Sequence, residues 1–367
     1  KGLKAARDAH ARHREQLGEG CMGQDFLNGM GHLADAVTER EMRDGLLGST
    51  NTTPGESGIT TTLLRLLPPD TTTSILLPIL SAMLAFGMIP KDWKKVNVAL
   101  IPKGQGAFRP IALIETIYKI LERIIKQRFW AACEQAQGAV FSGDNFAYQR
   151  GKGCEQALDW VLAALDDSRR TKNPLAVLAL DIGKFYDEVD FTAIIAAMQS
   201  YSFPQQIVNL VYDKLHDSPI TINTPWGKAP TFKRKIGLEQ GSILSTILCL
   251  LVLDPYQRAS QALLTEAKVT YKLNEATQGN KNLLPGFPNS TATLHPRYCD
   301  DVTLLITGNH ESIQTALTTV GRLNIGFCFG VEQKKLWGSH FGTHDKKITD
   351  KAFTLRYISV LRHLSLK

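Results

Sequence analysis

Two short apolar runs restrict what this chain can become: LAVLAL at 175–180, which ends on Asp181, and VTLLI at 302–306, which follows the adjacent pair Asp300 and Asp301. Neither run alternates with polar residues, so each reads as a strand buried on both faces, inside a sheet covered by helices. Carboxylates at the ends of such strands sit against low-dielectric walls. An isolated aspartate at a strand end is usually a cap or loop residue, and an aspartate pair is usually solvated surface. The flanking strands argue otherwise here. Two like charges about 4 Å apart repel by roughly 4 kcal/mol at an effective dielectric of 20, and a cation that prefers hard oxygen ligands, such as Mg2+, relieves the conflict. If Asp181 converges with the pair, two ions roughly 3.5–4 Å apart could activate a hydroxyl and stabilise a leaving phosphate oxygen. The pattern points to phosphoryl or nucleotidyl transfer.

The rest of the composition agrees with a globular protein of two or three subdomains: 43% of the 367 residues are hydrophobic and 21% charged. Lys and Arg number 42 against 35 Asp and Glu, a formal charge of +7 that favours an anionic partner such as nucleic acid. Six scattered cysteines without CxxC spacing indicate neither a zinc ribbon nor a disulfide framework and suit a reducing interior. His340 and His344 have i, i+4 spacing but no acidic partner between them, and read as surface residues. The opening KGLKAARDAHARHREQLGEG has no signal-peptide pattern and looks like the start of an excerpt from a longer protein. The apolar stretch 74–90 is interrupted by Pro78 and is shorter than the ~20 residues of a bilayer span, which predicts a buried core helix and no membrane partner.

Residues 1–47 read as charged helix, and STNTTPGESG at 49–58 as a boundary loop. VNVALIP at 96–102 is strand-like, whereas IALIETIYKILERIIKQRF at 111–129 has helical apolar spacing; the turn between them carries Lys103 and Arg109. FAYQRGKG at 146–153 is a basic loop before a helix. ITINTPWGKAPTFKRKI at 220–236 reads as a hairpin, GLEQGS at 237–242 as a glycine loop, and 243–254 as a buried helix. The Gly/Asn/Pro-rich segment between Asp254 and Arg297 reads as a surface insertion.

Taken in order, DIGKFYD (181–187), GLEQGSILS (237–245) and YCDD (298–301) resemble the A, B and C motifs of reverse transcriptases. Upstream, TPGESGI, GMIPKDWKKVNVALIPK, FRPIALIETIYKILERII and FAYQRGKGCEQAL are similar to the fingers of the non-LTR retrotransposon and group II intron branch. Downstream, FGVEQKKLWGSHF and FTLRYISVLRHL look like motifs D and E. Each motif alone is weak; six or more in the right order, over residues 50–365, are specific. The resemblance implies an α+β right-hand polymerase, with an antiparallel palm sheet that carries the catalytic aspartates between flanking helices, and no thumb. On this reading 1–50 is an N-terminal helical extension, 51–173 the fingers with the first palm elements, and 174–367 the palm with an insertion around 255–296.

The same resemblance implies site residues. Asp181, Asp300 and Asp301 are the catalytic metal ligands, joined by the backbone carbonyl of Ile182, for two Mg2+ ions with Mn2+ able to substitute. Lys103 and Arg109 grip the triphosphate. Tyr186 is the steric gate that favours dNTPs over rNTPs; Gln240 and Gly241 lie against nucleotide and template. Lys334 is the motif D lysine, with Lys335 an equal claimant by spacing. Arg150, Lys152, Lys233 and Arg234 hold template and primer phosphates. Cys299 replaces the family's usual Ala, Pro296 stands just upstream, and Ser57 replaces the usual Asp of the fingers loop. The function implied is RNA-directed DNA polymerisation for a non-LTR-type retroelement, acting on an RNA template, a DNA primer and dNTPs inside the cell, in the nucleus for a eukaryotic element. Two alternatives stay open: a group II intron-type maturase and an inert RNA-binding scaffold, the latter disfavoured by an intact carboxylate triad. Tyr186 disfavours an RNA-dependent RNA polymerase. Oligomeric state is not legible.

Overall fold

A computed structural model of the chain describes residues 23–104, 106–136, 139–273, 295–327 and 331–338. In chain order the first elements are α1 (Gly23–Gly31), α2 (Glu39–Leu47), α3 (Thr61–Leu66), α4 (Pro69–Phe86), β1 (Val96–Gly104), β2 (Ala107–Leu113), α5 (Thr116–Glu134), α6 (Cys154–Thr171) and β3 (Leu175–Ile182). They continue as α7 (Phe185–Glu188), α8 (Phe191–Ser200), α9 (Gln205–Leu215), β4 (Pro219–Thr224), β5 (Gly227–Lys228), β6 (Phe232–Lys233) and α10 (Ile243–Glu266). The last are β7 (Arg297–Tyr298), β8 (Asp301–Thr307), α11 (His310–Phe327) and β9 (Val331–Gly338). Two compact units result: one holds the described chain up to Val140 together with Phe185–Val252, the other Phe141–Lys184 and the chain from Leu253 onward. These cuts divide the chain differently from the 51–173 and 174–367 segments drawn from sequence.

The first unit contains a sheet of order β2-β1-β4-β5, with β6 also paired to β4. β1 runs antiparallel to β2 and parallel to β4. Its alternation explains the sheet's two faces: Val96 and Val98 are buried, as are their register partners Ala112 and Ile220, while Asn97 and Ala99 point to the partly open side. Residues 111–113, whose spacing suggested helix, are captured by β1 as strand; the helical pattern takes over only at Thr116. α5 then buries Ile117, Ile120, Leu121, Ile124 and Ile125, a stripe at helical intervals.

One α5 side chain fastens the N-terminal helices. Arg128 donates to Glu41 Oε1 at 2.6 Å and Oε2 at 2.8 Å, and to the carbonyls of Leu33 at 3.1 Å, Asp35 at 2.7 Å and Ala36 at 3.1 Å. Burial alone would raise the Glu41 carboxyl, but the hydrogen bonds from Arg128 and Thr38 outweigh it and take it down to about 2. α4 ends at Gly87, whose φ of +60° and close approach to α9, where an added Cβ would lie 2.7 Å from the Gln206 carbonyl oxygen, both demand glycine. α4 is less buried than the sequence predicts. Leu76, Leu80, Met83 and Leu84 form one packed stripe, while Ile75 and Phe86 stand 47% and 74% exposed, and by length and composition the helix passes for a membrane span.

In the second unit an antiparallel sheet has the order β7-β8-β3-β9. Both faces of its inner strands are covered. Ala176, Leu178, Leu180, Val302, Leu304 and Ile306 pack with Ile313, Ala316 and Val320 of α11 and with Leu264 and Val269. On the opposite face Leu175 and Leu305 pack with Val161, Ala164 and Leu165 of α6 and with Tyr271. The two unbroken apolar runs are therefore two-faced strands, as their composition required. α10 does not stop at Asp254: it runs through Pro255 to Glu266, with Tyr256, Gln257, Ser260 and Leu264 buried. The chain to Tyr271 is thus core rather than surface insertion, and 274–294 lies outside the described residues.

Replacement of Arg128 by Met should cost about 2–4 kcal/mol, because six hydrogen bonds are lost, one of them to the His32 carbonyl, and Glu41 is left partly buried without its cation. A lower urea midpoint together with earlier proteolytic cleavage within residues 23–47 is the expected result.

Candidate active site

The three aspartates are brought together by strand register and one tight turn. Tyr298 pairs with Asp301, so Cys299 and Asp300 form a two-residue hairpin turn between β7 and β8. Cys299 has a φ of +61°, the positive value that such a turn needs at its first central position and that a side chain adopts at some cost. The buried cysteine is held there, and its sulfur accepts a hydrogen bond from the Tyr148 hydroxyl at 3.5 Å.

On β3, Asp181 stands directly opposite Asp301, and the Ile182 N–H donates to the Asp300 carbonyl at 3.3 Å. Asp181 and Asp301 thus occupy a non-hydrogen-bonded antiparallel position, where Cα atoms approach to about 4.5 Å and side chains are nearest. On its other side Asp181 is in register with Glu332 of β9, a fourth acidic position that the motif comparison did not single out. Burial, then the charges of Asp181 and Asp301, push the Asp300 carboxyl above the ordinary aspartate range.

The Asp300 carboxyl feels the charges of both Asp181 and Asp301, and carboxylate oxygens grouped in this way are the setting a divalent ion suits. Among the described residues no group of three or more His, Cys, Asp or Glu closes on a metal position. Mg2+ does not require one, since it is commonly bound through one or two carboxylates, waters and substrate phosphates. Asp181, Asp300 and Asp301 are the residues that would hold it.

The root of the hairpin was not visible in the motifs. Arg297, fully buried, lies 3.3 Å from Asp144 and donates to Ser260 Oγ, with its guanidinium over the Tyr256 ring at 5.9 Å. Its backbone is pinned as well: Arg297 N–H donates to the Asp144 carbonyl at 2.9 Å and Phe146 N–H to the Arg297 carbonyl at 2.8 Å. A basic residue placed directly before a catalytic-looking turn, with an aspartate in the upstream SGDN segment, was the available signal.

The nucleotide-binding candidates of the first unit share one scaffold. Arg109 is exposed on β2 opposite Ile101, and Lys103 falls in the register shift between Pro102 and Gly104. The Gln240 carbonyl accepts from Ala112 N–H at 2.7 Å, and the Tyr186 carbonyl accepts from Leu238 N–H at 2.6 Å. Gly241 has a φ of +124° and no room for a side chain, since a Cβ would lie 2.7 Å from the Ala112 carbonyl oxygen. Ser57, the departure noted in the fingers loop, donates to the buried Glu115 carboxylate at 2.5 Å. Lys334 is the extra residue in a bulge of β9, between Gln333 opposite Leu180 and Lys335 opposite Ala179. The E-like segment lies outside the described residues.

Two of the four phosphate-binding candidates need correction. Arg234 is buried, 6% exposed, and its guanidinium is 3.3 Å from Glu239, so it faces the interior. The Lys152 ammonium is turned back onto the carbonyls of Gly143 at 3.3 Å and Asn145 at 3.2 Å and over the Phe146 ring, and burial lowers its pKa. In a sequence these cations look like any solvated basic run. Arg150 and Lys233 are exposed, the latter 3.9 Å from Asp217.

A cluster of aspartates at the end of a two-faced sheet suits divalent-cation chemistry on phosphates. Residues 101–337 match the reverse transcriptase (RNA-dependent DNA polymerase) family, and the chain belongs to it. The chain is 26% identical over 232 residues to the Retrovirus-related Pol polyprotein from type-1 retrotransposable element R2 of Popillia japonica, covering 61% of this chain and 30% of that protein. Against the Transposon TX1 uncharacterized 149 kDa protein of Xenopus laevis identity is 26% over 230 residues, covering 61% and 17%. Against the RNA-directed DNA polymerase from mobile element jockey of Drosophila melanogaster it is 25% over 201 residues, covering 53% and 22%. The chain spans less than a third of each of these relatives. Apo telomerase from Candida tropicalis, truncated from its C-terminal domain, aligns at a TM-score of 0.44 with 17% identity, over 70% of this chain and 52% of that one; a likeness at that level carries no functional argument.

In the metal-free protein, Asp300 holds its proton to higher pH when folded than when unfolded, so its contribution to stability falls as pH rises from the ordinary aspartate range through the raised value. Asp300→Asn should therefore raise the melting temperature by a few degrees above that window, and Mg2+ should stabilise the unsubstituted protein more than the variant. Differential scanning calorimetry with and without Mg2+ reads both effects.

Proposed function

We propose that this chain is the polymerising core of a non-LTR-type retroelement reverse transcriptase, which extends a DNA primer along an RNA template with dNTPs. The observation that carries the reading is the cross-strand pair Asp181 and Asp301 with Asp300 on the adjoining turn, in a chain of the reverse transcriptase family. Its architecture would be a right hand: the β7-β8-β3-β9 sheet as palm and the β2-β1-β4-β5 sheet, with its exposed Arg109 and Lys103, as fingers.

The primer 3′-hydroxyl attacks the α-phosphate in line and pyrophosphate leaves. Asp181, Asp300 and Asp301 would hold the divalent ions, Mg2+ or in its place Mn2+, whose charge would lower the hydroxyl pKa and stabilise the leaving oxygen. Lys103 and Arg109 balance the triphosphate charge, a point charge beside a planar fork. The ring of Tyr186 takes the space of a ribose 2′-hydroxyl, and the Gln240–Gly241 apex lies along the base pair. Exposed Arg150 and Lys233 meet backbone phosphates. A retroelement enzyme of this kind acts inside the cell, in the nucleus of a eukaryotic host.

Primer extension on an RNA template with Mg2+ tests the reading. Incorporation of dNTPs in preference to rNTPs is expected, with Asp300→Ala lowering the rate by at least about 1,000-fold, on the scale of losing electrostatic transition-state stabilisation. Extension that survives the substitution removes the metal-site assignment. A preference for rNTPs removes the role given to Tyr186, and template binding without any extension favours an RNA-binding scaffold.

A further inference from the structure

The stretch Gly237–Ser242 is buried except at its apex, where Gln240 is half-buried and Gly241 exposed. On either side of that apex stands a buried polar anchor. Glu239, 2% exposed, lies 3.4 Å from Lys214 Nζ and 3.3 Å from Arg234 Nη2, and both cations are themselves buried. Lys214 also donates to the Trp93 carbonyl at 3.2 Å and rests over the Tyr118 ring at 5.5 Å. On the far side, Ser242 Oγ and the Ile243 N–H, the latter at 3.0 Å, both donate to the buried Glu122 carboxylate of α5.

Backbone bonds complete the clamp. Gly237 N–H donates to the Val189 carbonyl at 2.9 Å, Leu238 N–H to that of Tyr186 at 2.6 Å, and Ala112 N–H to that of Gln240 at 2.7 Å. Gly237, at a φ of +91°, lies so close to the Asp187 carbonyl oxygen that an added Cβ would approach it to 2.7 Å. These tethers flank the half-buried Gln240 and the exposed Gly241, and one of them ends on the Tyr186 carbonyl. Buried ion pairs are weak evidence of stability, because apolar residues of similar volume commonly serve as well. What such a pair does supply is a fixed, directional placement, and here it lies one residue from the apex.

We propose that Glu239, gripped by Lys214 and Arg234, is a positioning residue that fixes the Gln240–Gly241 apex and, through the Leu238–Tyr186 backbone bond, the placement of Tyr186, and thereby sets dNTP affinity and sugar discrimination. The inference rests on the polymerase reading above. Glu239 touches no substrate; it acts through its neighbours. Arg234 then belongs to the loop's support rather than to the nucleic-acid surface.

The test uses the full-length polypeptide that carries this sequence, with Glu239→Gln and, because that change strands two buried cations, the charge-balanced double variant Glu239→Gln with Lys214→Met. Folding is checked by circular dichroism and by Mn2+ binding in electron paramagnetic resonance, which reports on the carboxylates of the other unit. Expected in a folded variant are a roughly tenfold rise in KM for dNTP, a roughly tenfold loss of dNTP-over-rNTP discrimination, a smaller change in kcat, and faster hydrogen exchange at the Leu238 and Ile243 amides. Wild-type KM, discrimination and exchange in the folded double variant overturn the proposal. Failure of the unsubstituted protein to extend a primer while the exchange effect persists counts against the polymerase reading and leaves the loop anchor standing.

Discussion

The register that sets Asp181 opposite Asp301 is the constraint on which the rest of the structure turns. Antiparallel pairing of β3 with β8 leaves no choice about it: once Leu178 faces Leu304 and Leu180 faces Val302, the aspartates meet at the strand end. Slipping the register by one residue would send each side chain of the slipped strand to the opposite face, so that the packing against both covering layers would have to be rebuilt. Hydrophobic burial therefore holds two carboxylates together against their repulsion, and the turn adds a third. The apolar core does not merely surround the three aspartates; it maintains their mutual repulsion.

Both units fix their exposed chemistry with buried ions. In one, Arg297 joins the root of the aspartate hairpin to Asp144 and Ser260; in the other, Glu239 joins the glycine loop to Lys214 and Arg234. Such pairs are costly to dehydrate and add little net stability, yet breaking one partner leaves an uncompensated charge, so each holds its segment to a single arrangement. Supporting interactions of this kind keep reactive groups within the tolerance that catalysis needs.

Much of this was legible in the sequence, for reasons that differ by element. The strands at 175–182 and 301–307 were readable because unbroken apolar runs bounded by polar residues have few other homes, and the ordered motifs identified the family. The strand at 111–113 was misread because Ile-Ala-Leu fits either period and only the pairing with β1 decides it. The continuation of α10 through Pro255 was missed because a proline within a pattern usually ends a helix, whereas here Tyr256, Ser260 and Leu264 gain burial by continuing. Arg234 and Lys152 were misplaced for a different reason. A cation in a basic run gives no local sign of whether it faces water or a buried carboxylate, and the partner that turns Arg234 inward, Glu239, is recognisable only once the chain has folded. Arg297 and Lys214 escaped notice on the same ground.

The most direct test of the central claim is a carboxyl titration by nuclear magnetic resonance on protein carrying 13C-labelled aspartate side chains, with and without Mg2+. Without the ion, the Asp300 resonance should titrate above the ordinary aspartate range; with it, the midpoint should fall, and the Asp181 and Asp301 resonances should shift in step. An Asp300 that titrates like an isolated aspartate and ignores Mg2+ would show that the three side chains share neither a field nor a cation.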